Sequence, residues 1–147
     1  MQASFYTSGF LYNLKTHQIL LLQSKQKDES TSWTMLGGEG IEGEEAEVAF
    51  QRIINKKLNI NLKSKDIYPV YDYFSNIQNK PHFVFYVEVK NSKSFNDLKK
   101  GSPSWVSFSE ISKLSVSIQT KQDIVVGERV INAKWRDDEA KRNHLTP

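Results

Sequence analysis

The sequence predicts one α/β domain, and three observations carry that prediction. Runs rich in β-branched and aromatic residues recur along the chain, separated by polar turns. Between them, from about Glu44 to Asn59, apolar residues switch to a helical period. A second helical stretch follows from Thr120 to roughly Lys141.

Phe5 to Leu14 is apolar and aromatic and reads as a strand, Lys15 to Gln18 as a polar turn, and Ile19 to Gln23 as a second strand closing a hairpin. Lys25 to Ser32 is polar and reads as a loop, and Gly37-Gly38-Glu39-Gly40 as a glycine-rich turn. In the helix that follows, Ala46, Ala49, Phe50, Ile53, Ile54 and Leu58 fall within one apolar arc. Glu44, Glu45 and Glu47 are placed in its first turn and Lys56 and Lys57 in its last, where each sign suits the helix dipole. Asn59 suits the left-handed residue that closes a helix.

After a connector at Asn61 to Asp66, Ile67 to Phe74 and His82 to Lys90 read as antiparallel neighbours around a turn at Ser75 to Pro81. In the second of these, Phe83, Phe85, Val87 and Val89 lie on one face and His82, Val84, Tyr86 and Glu88 on the other. Asn91 to Pro103 reads as an exposed loop with a short helical turn near Phe95 to Leu98, and Ser104 to Phe108 as a short strand. In the C-terminal helix Val126, Val130 and Ala133 share a face with Ile131 and Trp135 beside them, Gly127 weakens it, and the tail after Asn143 is expected to fray.

Composition narrows the function classes. A chain of 147 residues suits a single domain with a true core. A net charge of +3 is too small to argue for nucleic acid, and no nucleic-acid partner is expected. With no cysteine there is no disulfide framework or thiolate metal site. No apolar run is long enough to span a bilayer, and Met1 to Phe5 lacks the marks of a signal peptide, so no membrane partner and a cytoplasmic location are expected. His17, His82 and His144 are scattered without ligand spacing.

The stretch from Trp33 to Ile60 carries a more specific signal. Gly38, Glu44 and Arg52 have the spacing of the first half of a Nudix box, G-x5-E-x7-R-E-U-x-E-E-x-G-U, with U aliphatic. Trp33 and Gly37-Gly38 resemble the W-x-x-P-G-G entry to that motif, with Leu36 in place of proline. Gly43-Glu44, the small Ala49, and aliphatic Ile54 and Ile60 also agree, and Trp105 to Ile111 resembles a W-x-x-x-x-E-L stretch common late in such domains. The chain therefore resembles the Nudix hydrolase superfamily. That resemblance implies an α/β/α sandwich around a mixed, mostly antiparallel sheet of about six strands, with the box helix on one side and the C-terminal helix on the other. It also implies descent from hydrolases of nucleoside diphosphates linked to a further moiety.

The second half of the box departs from the pattern. Where the family reads R-E-U-x-E-E-x-G, this chain reads Arg52-Ile53-Ile54-Asn55-Lys56-Lys57-Leu58-Asn59. In the family those glutamates hold Mg²⁺ or Mn²⁺. Such ions need hard oxygen ligands, isoleucine has none, and an ammonium only donates. No metal is expected at Ile53, Lys56 and Lys57, and the domain is expected to be catalytically impaired. Glu44 and Arg52 are retained in a supporting role, and Lys56 and Lys57 become candidate ligands for a nucleotide or phosphorylated small molecule. The alternatives are an active hydrolase with relocated metal ligands, requiring Mg²⁺ or Mn²⁺, or a protein-interaction module whose cleft is unused. Relocated ligands would come from Glu39, Glu42, Glu45, Glu47, Glu88 or Glu110. Tyr71, Tyr73, Phe74, Tyr86 and Trp105 are candidates to stack a nucleobase, although sheet core is the expected place of most of them.

Overall fold

The computed structural model describes residues 3–25, 27–28 and 30–145. It has seven strands and two long helices: β1 (Ala3–Asn13), β2 (Gln18–Lys25), β3 (Thr31–Thr34), β4 (Leu36–Ile41), α1 (Ala46–Leu58), β5 (Ile67–Ser75), β6 (Lys80–Val89), β7 (Ser102–Ser107) and α2 (Ile118–Leu145). Short 3₁₀ turns occupy Ser64–Asp66 and Phe108–Lys113. The main order is β3-β2-β1-β6-β5, with β4 also paired to β1 and β7 to β2. Among the described strand pairs only β1 and β6 run parallel.

Both expected hairpins form, β1 with β2 and β5 with β6. The alternation of β6 is as the sequence implies. Phe85 and Val87 enter the apolar layer under α1, with Phe83 and Val89 against it. Val84 and Tyr86 enter the layer under α2. The two helices thus cover opposite faces of one sheet. Phe50 and Ile54 of α1 are fully buried, and each such side chain contributes roughly 1.5–3 kcal/mol of apolar burial.

Several sequence expectations need correction. The glycine-rich segment expected to turn is strand β4, with Thr7 opposite Gly38 and Ser8 opposite Gly37. Its glycines permit close packing: a Cβ on Gly40 would lie 2.0 Å from the Phe5 ring, and one on Gly37 would lie 2.5 Å from the Thr7 carbonyl oxygen. Thr31 and Ser32, placed at the end of a loop, begin β3, which pairs with β2 as far as Thr34 and adds a seventh strand. No helical turn forms near Phe95 to Leu98; Leu98 instead closes a tight turn with Gly101. Helix α2 runs to Leu145, and Thr146 and Pro147 lie outside the described residues.

The buried stripe of α2 is also rotated from the expected one. It runs through Asp123, Ile124, Gly127 and Ile131, while Ala133 and Trp135 are exposed. Gly127 is the reason: a Cβ there would meet the Phe10 ring at 2.9 Å, so the bare backbone seats that buried ring. The helix propensity lost at a glycine is offset by packing.

Candidate functional site

Helix α1 starts later than the charge pattern suggests. Glu45 is the N-cap residue and Ala49 N–H bonds its carbonyl at 2.9 Å, so only Glu47 of the three glutamates stands in the first turn. Glu44 belongs to the preceding loop. Its backbone N–H bonds the Ile41 carbonyl at 2.9 Å, its carboxylate accepts from Ile41 N–H at 3.1 Å, and Gly43 supplies a φ of +86°. Arg52 reaches back from α1 to grip both oxygens of Glu44, Nε to Oε2 at 2.9 Å and Nη2 to Oε1 at 3.0 Å. Arg52 also donates to the Glu39 carbonyl at 3.4 Å. This bidentate pair holds the Glu44 carboxyl below the usual carboxylate range through the Arg52 hydrogen bonds. Its role is to fasten the β4–α1 loop. The helix closes as expected, on Asn59 at φ +54° and ψ +52°.

Above α1 lies a cavity of about 620 Å³. Arg52, Ile53, Lys56 and Lys57 of α1 line it, with Gly37, Gly38 and Glu39 of β4, Leu22, and the turn Leu98, Lys99 and Lys100. Ile53 is buried and presses its methyls on Gly38, so an apolar floor stands where the Nudix pattern has a carboxylate. Lys57 turns inward and its ammonium donates to the Gly37 carbonyl, although the residue as a whole is exposed. Burial, and then the nearby Lys100, lower the Lys57 pKa. Lys56 stands exposed on the rim. Five basic side chains thus face one carboxylate, Glu39, which Lys80 already pairs at 3.0 Å.

The other carboxylates do not converge here. Glu42 and Glu45 are exposed. Glu88 pairs with Lys134 at 3.6 Å, and Glu110 caps the Phe108–Lys113 turn through Ser107. Among the described residues no three His, Cys, Asp or Glu side chains group so as to hold a metal ion. Methyls and ammoniums are the wrong donors for Mg²⁺ or Mn²⁺, so the side chains of this cavity do not fit such an ion.

A second cavity, about 220 Å³, opens on the α2 side of the same β1–β4 pair. Register joins the two: Ser8 is opposite Gly37 and Tyr6 opposite Glu39. Its polar groups form a chain. Ser8 Oγ meets His82 Nε2 at 2.8 Å, His82 Nδ1 meets Tyr73 Oη at 2.8 Å, and Tyr73 donates to Asp123 at 3.4 Å. Asp123, only 1% exposed, also accepts from Tyr71 at 2.5 Å and Gln119 at 2.9 Å. Burial pushes the Asp123 carboxyl up against these hydrogen bonds, and burial lowers the His82 imidazole. No local motif announces this cluster, because its members come from four separate segments.

Of the aromatic candidates, Tyr73 reaches this cavity. Tyr71 shares its Asp123 bond, and Phe74 is exposed. Tyr86 is wholly buried between Phe10 and Tyr68 and offers no face to a ligand. Trp105 packs in the α1-side core and donates to the Lys93 carbonyl at 2.9 Å. His17 bonds Tyr12 at 2.7 Å, and the His144 side chain lies outside the described residues.

A family model, the NUDIX domain, matches residues 6–125, a span that includes the Glu44–Arg52 pair and the β4–loop–α1 unit. The chain belongs to the NUDIX domain family. Solved structures agree in fold. A MutT/nudix family protein from Listeria innocua is similar at TM-score 0.69 and 15% identity, covering 92% of this chain and 98% of that one. The NUDIX domain of Shewanella oneidensis NrtR, crystallised with ADP ribose, is similar at TM-score 0.68 and 11% identity, covering 89% and 90%. A MutT/nudix family protein from Enterococcus faecalis matches at TM-score 0.67 and 13% identity over 90% of this chain, which spans 63% of that protein's length. No curated protein sequence matches the chain. No helix among the described residues is long and apolar enough to cross a membrane.

Proposed function

We propose that this NUDIX domain binds a nucleotide or phosphorylated small molecule without a metal ion and does not turn it over. The observation that carries the reading is the cavity over α1, where Ile53, Lys56 and Lys57 occupy the metal-ligand positions of the box and Lys57 turns inward. At an effective dielectric of ~20, one ammonium about 6 Å from a divalent cation opposes it by on the order of 5 kcal/mol before screening. Even half of that lowers metal affinity by more than about tenfold. The same ammoniums suit phosphate oxygens, since each is a compact point charge with three donors. A NUDIX domain of like fold was crystallised with ADP ribose, which supports a nucleotide-type ligand.

The test is a thermal-shift panel of nucleotides and phosphorylated compounds with EDTA or Mg²⁺, run beside a pyrophosphohydrolase assay. The expected result is stabilisation in EDTA, no turnover, and weaker stabilisation of Lys56→Glu with Lys57→Glu. Robust turnover of a nucleoside diphosphate derivative at millimolar Mg²⁺, abolished by Glu44→Gln, overturns the reading.

A further inference from the structure

The α1 lysines are not the only cations over this cavity. Lys99 and Lys100 are the two corner residues of a turn closed from both sides, Leu98 N–H to the Gly101 carbonyl at 2.7 Å and Gly101 N–H to the Leu98 carbonyl at 3.3 Å. The turn is anchored. Phe95 and Leu98 pack on the α1-side core, and Trp105 holds the Lys93 carbonyl. Gly101, at φ +153°, passes so close to β2 that a Cβ would lie 2.3 Å from the Gln23 carbonyl oxygen. The two lysine pairs, one on a helix and one on a fixed turn, therefore face one cavity from different elements. Like charges held together this way gain most from an anion that can touch both.

We propose that the Lys99–Lys100 turn is the second jaw of a clamp that, with Lys56 and Lys57, grips two adjacent phosphoryl groups directly, so that Mg²⁺ competes for the ligand instead of assisting its binding. An orthophosphate satisfies one jaw and a diphosphate both. Because Mg²⁺ chelates the same oxygens that the ammoniums need, it removes the ligand from the site. This proposal rests on the metal-free binding reading above and assigns residues and a metal response that the reading leaves open.

The experiment is calorimetric titration of the full chain at low salt with inorganic pyrophosphate and with orthophosphate, each in EDTA and then in excess Mg²⁺. Pyrophosphate is expected to bind about tenfold or more tightly than orthophosphate, and Mg²⁺ to weaken it. Lys99→Glu with Lys100→Glu is expected to cost about tenfold or more and to erase the preference. Lys113→Glu with Lys121→Glu, the same charge change at exposed lysines outside the cavity lining, is expected to leave both affinities in place. Unchanged pyrophosphate affinity in the turn variant, tighter binding with Mg²⁺, or an equal loss in the control variant overturns the clamp while the binding reading stands. Failure of the unaltered chain to bind pyrophosphate or any nucleotide at low salt overturns both.

Discussion

The cavity over α1 gathers four lysines beside an arginine that Glu44 already pairs, whereas the cavity beside α2 buries one carboxylate and surrounds it with donors. Both abut the β1–β4 pair, one on the α1 side and one on the α2 side. The difference lies in who completes the hydrogen bonding. Around Asp123 the protein does so itself, and the group's energetic role is in folding. Lys57 meets the Gly37 carbonyl, and under the proposed clamp the anion that answers Lys56, Lys57, Lys99 and Lys100 comes from outside.

If that contrast holds, substitutions should divide into those that move stability and those that move binding. The largest stability effect is expected from Asp123→Ala, which strands Tyr71, Tyr73 and Gln119; a loss of roughly 2 kcal/mol in urea unfolding is expected, with pyrophosphate affinity unchanged for the folded protein. Gly127→Ala should cost about 1–2 kcal/mol despite the gain in helix propensity, because its methyl collides with the buried Phe10 ring. Lys56→Glu with Lys57→Glu should do the reverse, losing about tenfold in pyrophosphate affinity by calorimetry with little change in unfolding midpoint.

A pH series sharpens the comparison further. Burial depresses the folded His82 pKa, so the unfolded chain binds that proton more readily, and stability falls as pH drops below about 6.5. Asp123 acts with the opposite sign, since a raised carboxyl pKa favours the folded state as pH falls toward it. His82→Gln should flatten the wild-type loss of melting temperature between pH 7.5 and pH 5.5 in buffers of matched ionic strength. A parallel slope in the variant would remove His82 from the account. The smallest effect is expected for Glu44→Gln, below about 1 kcal/mol, because its pair with Arg52 is partly open to solvent.

The sequence shows the first cavity far better than the second. Ile53, Lys56 and Lys57 are legible because a fixed spacing says what chemistry belongs there. The apolar arc of α1 and the alternation of β6 are likewise local properties of the chain. Lys99 and Lys100 are not legible, since a two-residue turn enters the cavity only through the packing of Phe95, Leu98 and Gly101. Ser8, Tyr73, His82 and Asp123 carry no shared spacing and meet only after the sheet forms. Gly37 to Gly40 misleads in a different way. Glycines signal turns when the question is backbone freedom, but here they admit the Phe5 ring and the neighbouring strand.

The seating of Ile53 on Gly38 bears on whether the box could be rebuilt one residue at a time. A glutamate introduced at position 53 alone would exchange a buried apolar contact for a carboxylate in a cavity lined by Lys56, Lys57, Lys99 and Lys100. Its first partner would be an ammonium, forming an internal salt that leaves no open coordination position for a cation. Glutamates at 56 or 57 alone meet the same fate with the remaining lysines. Each single step toward a metal site therefore ends in an internal ion pair, and several side chains must change together before carboxylates are free to hold a cation.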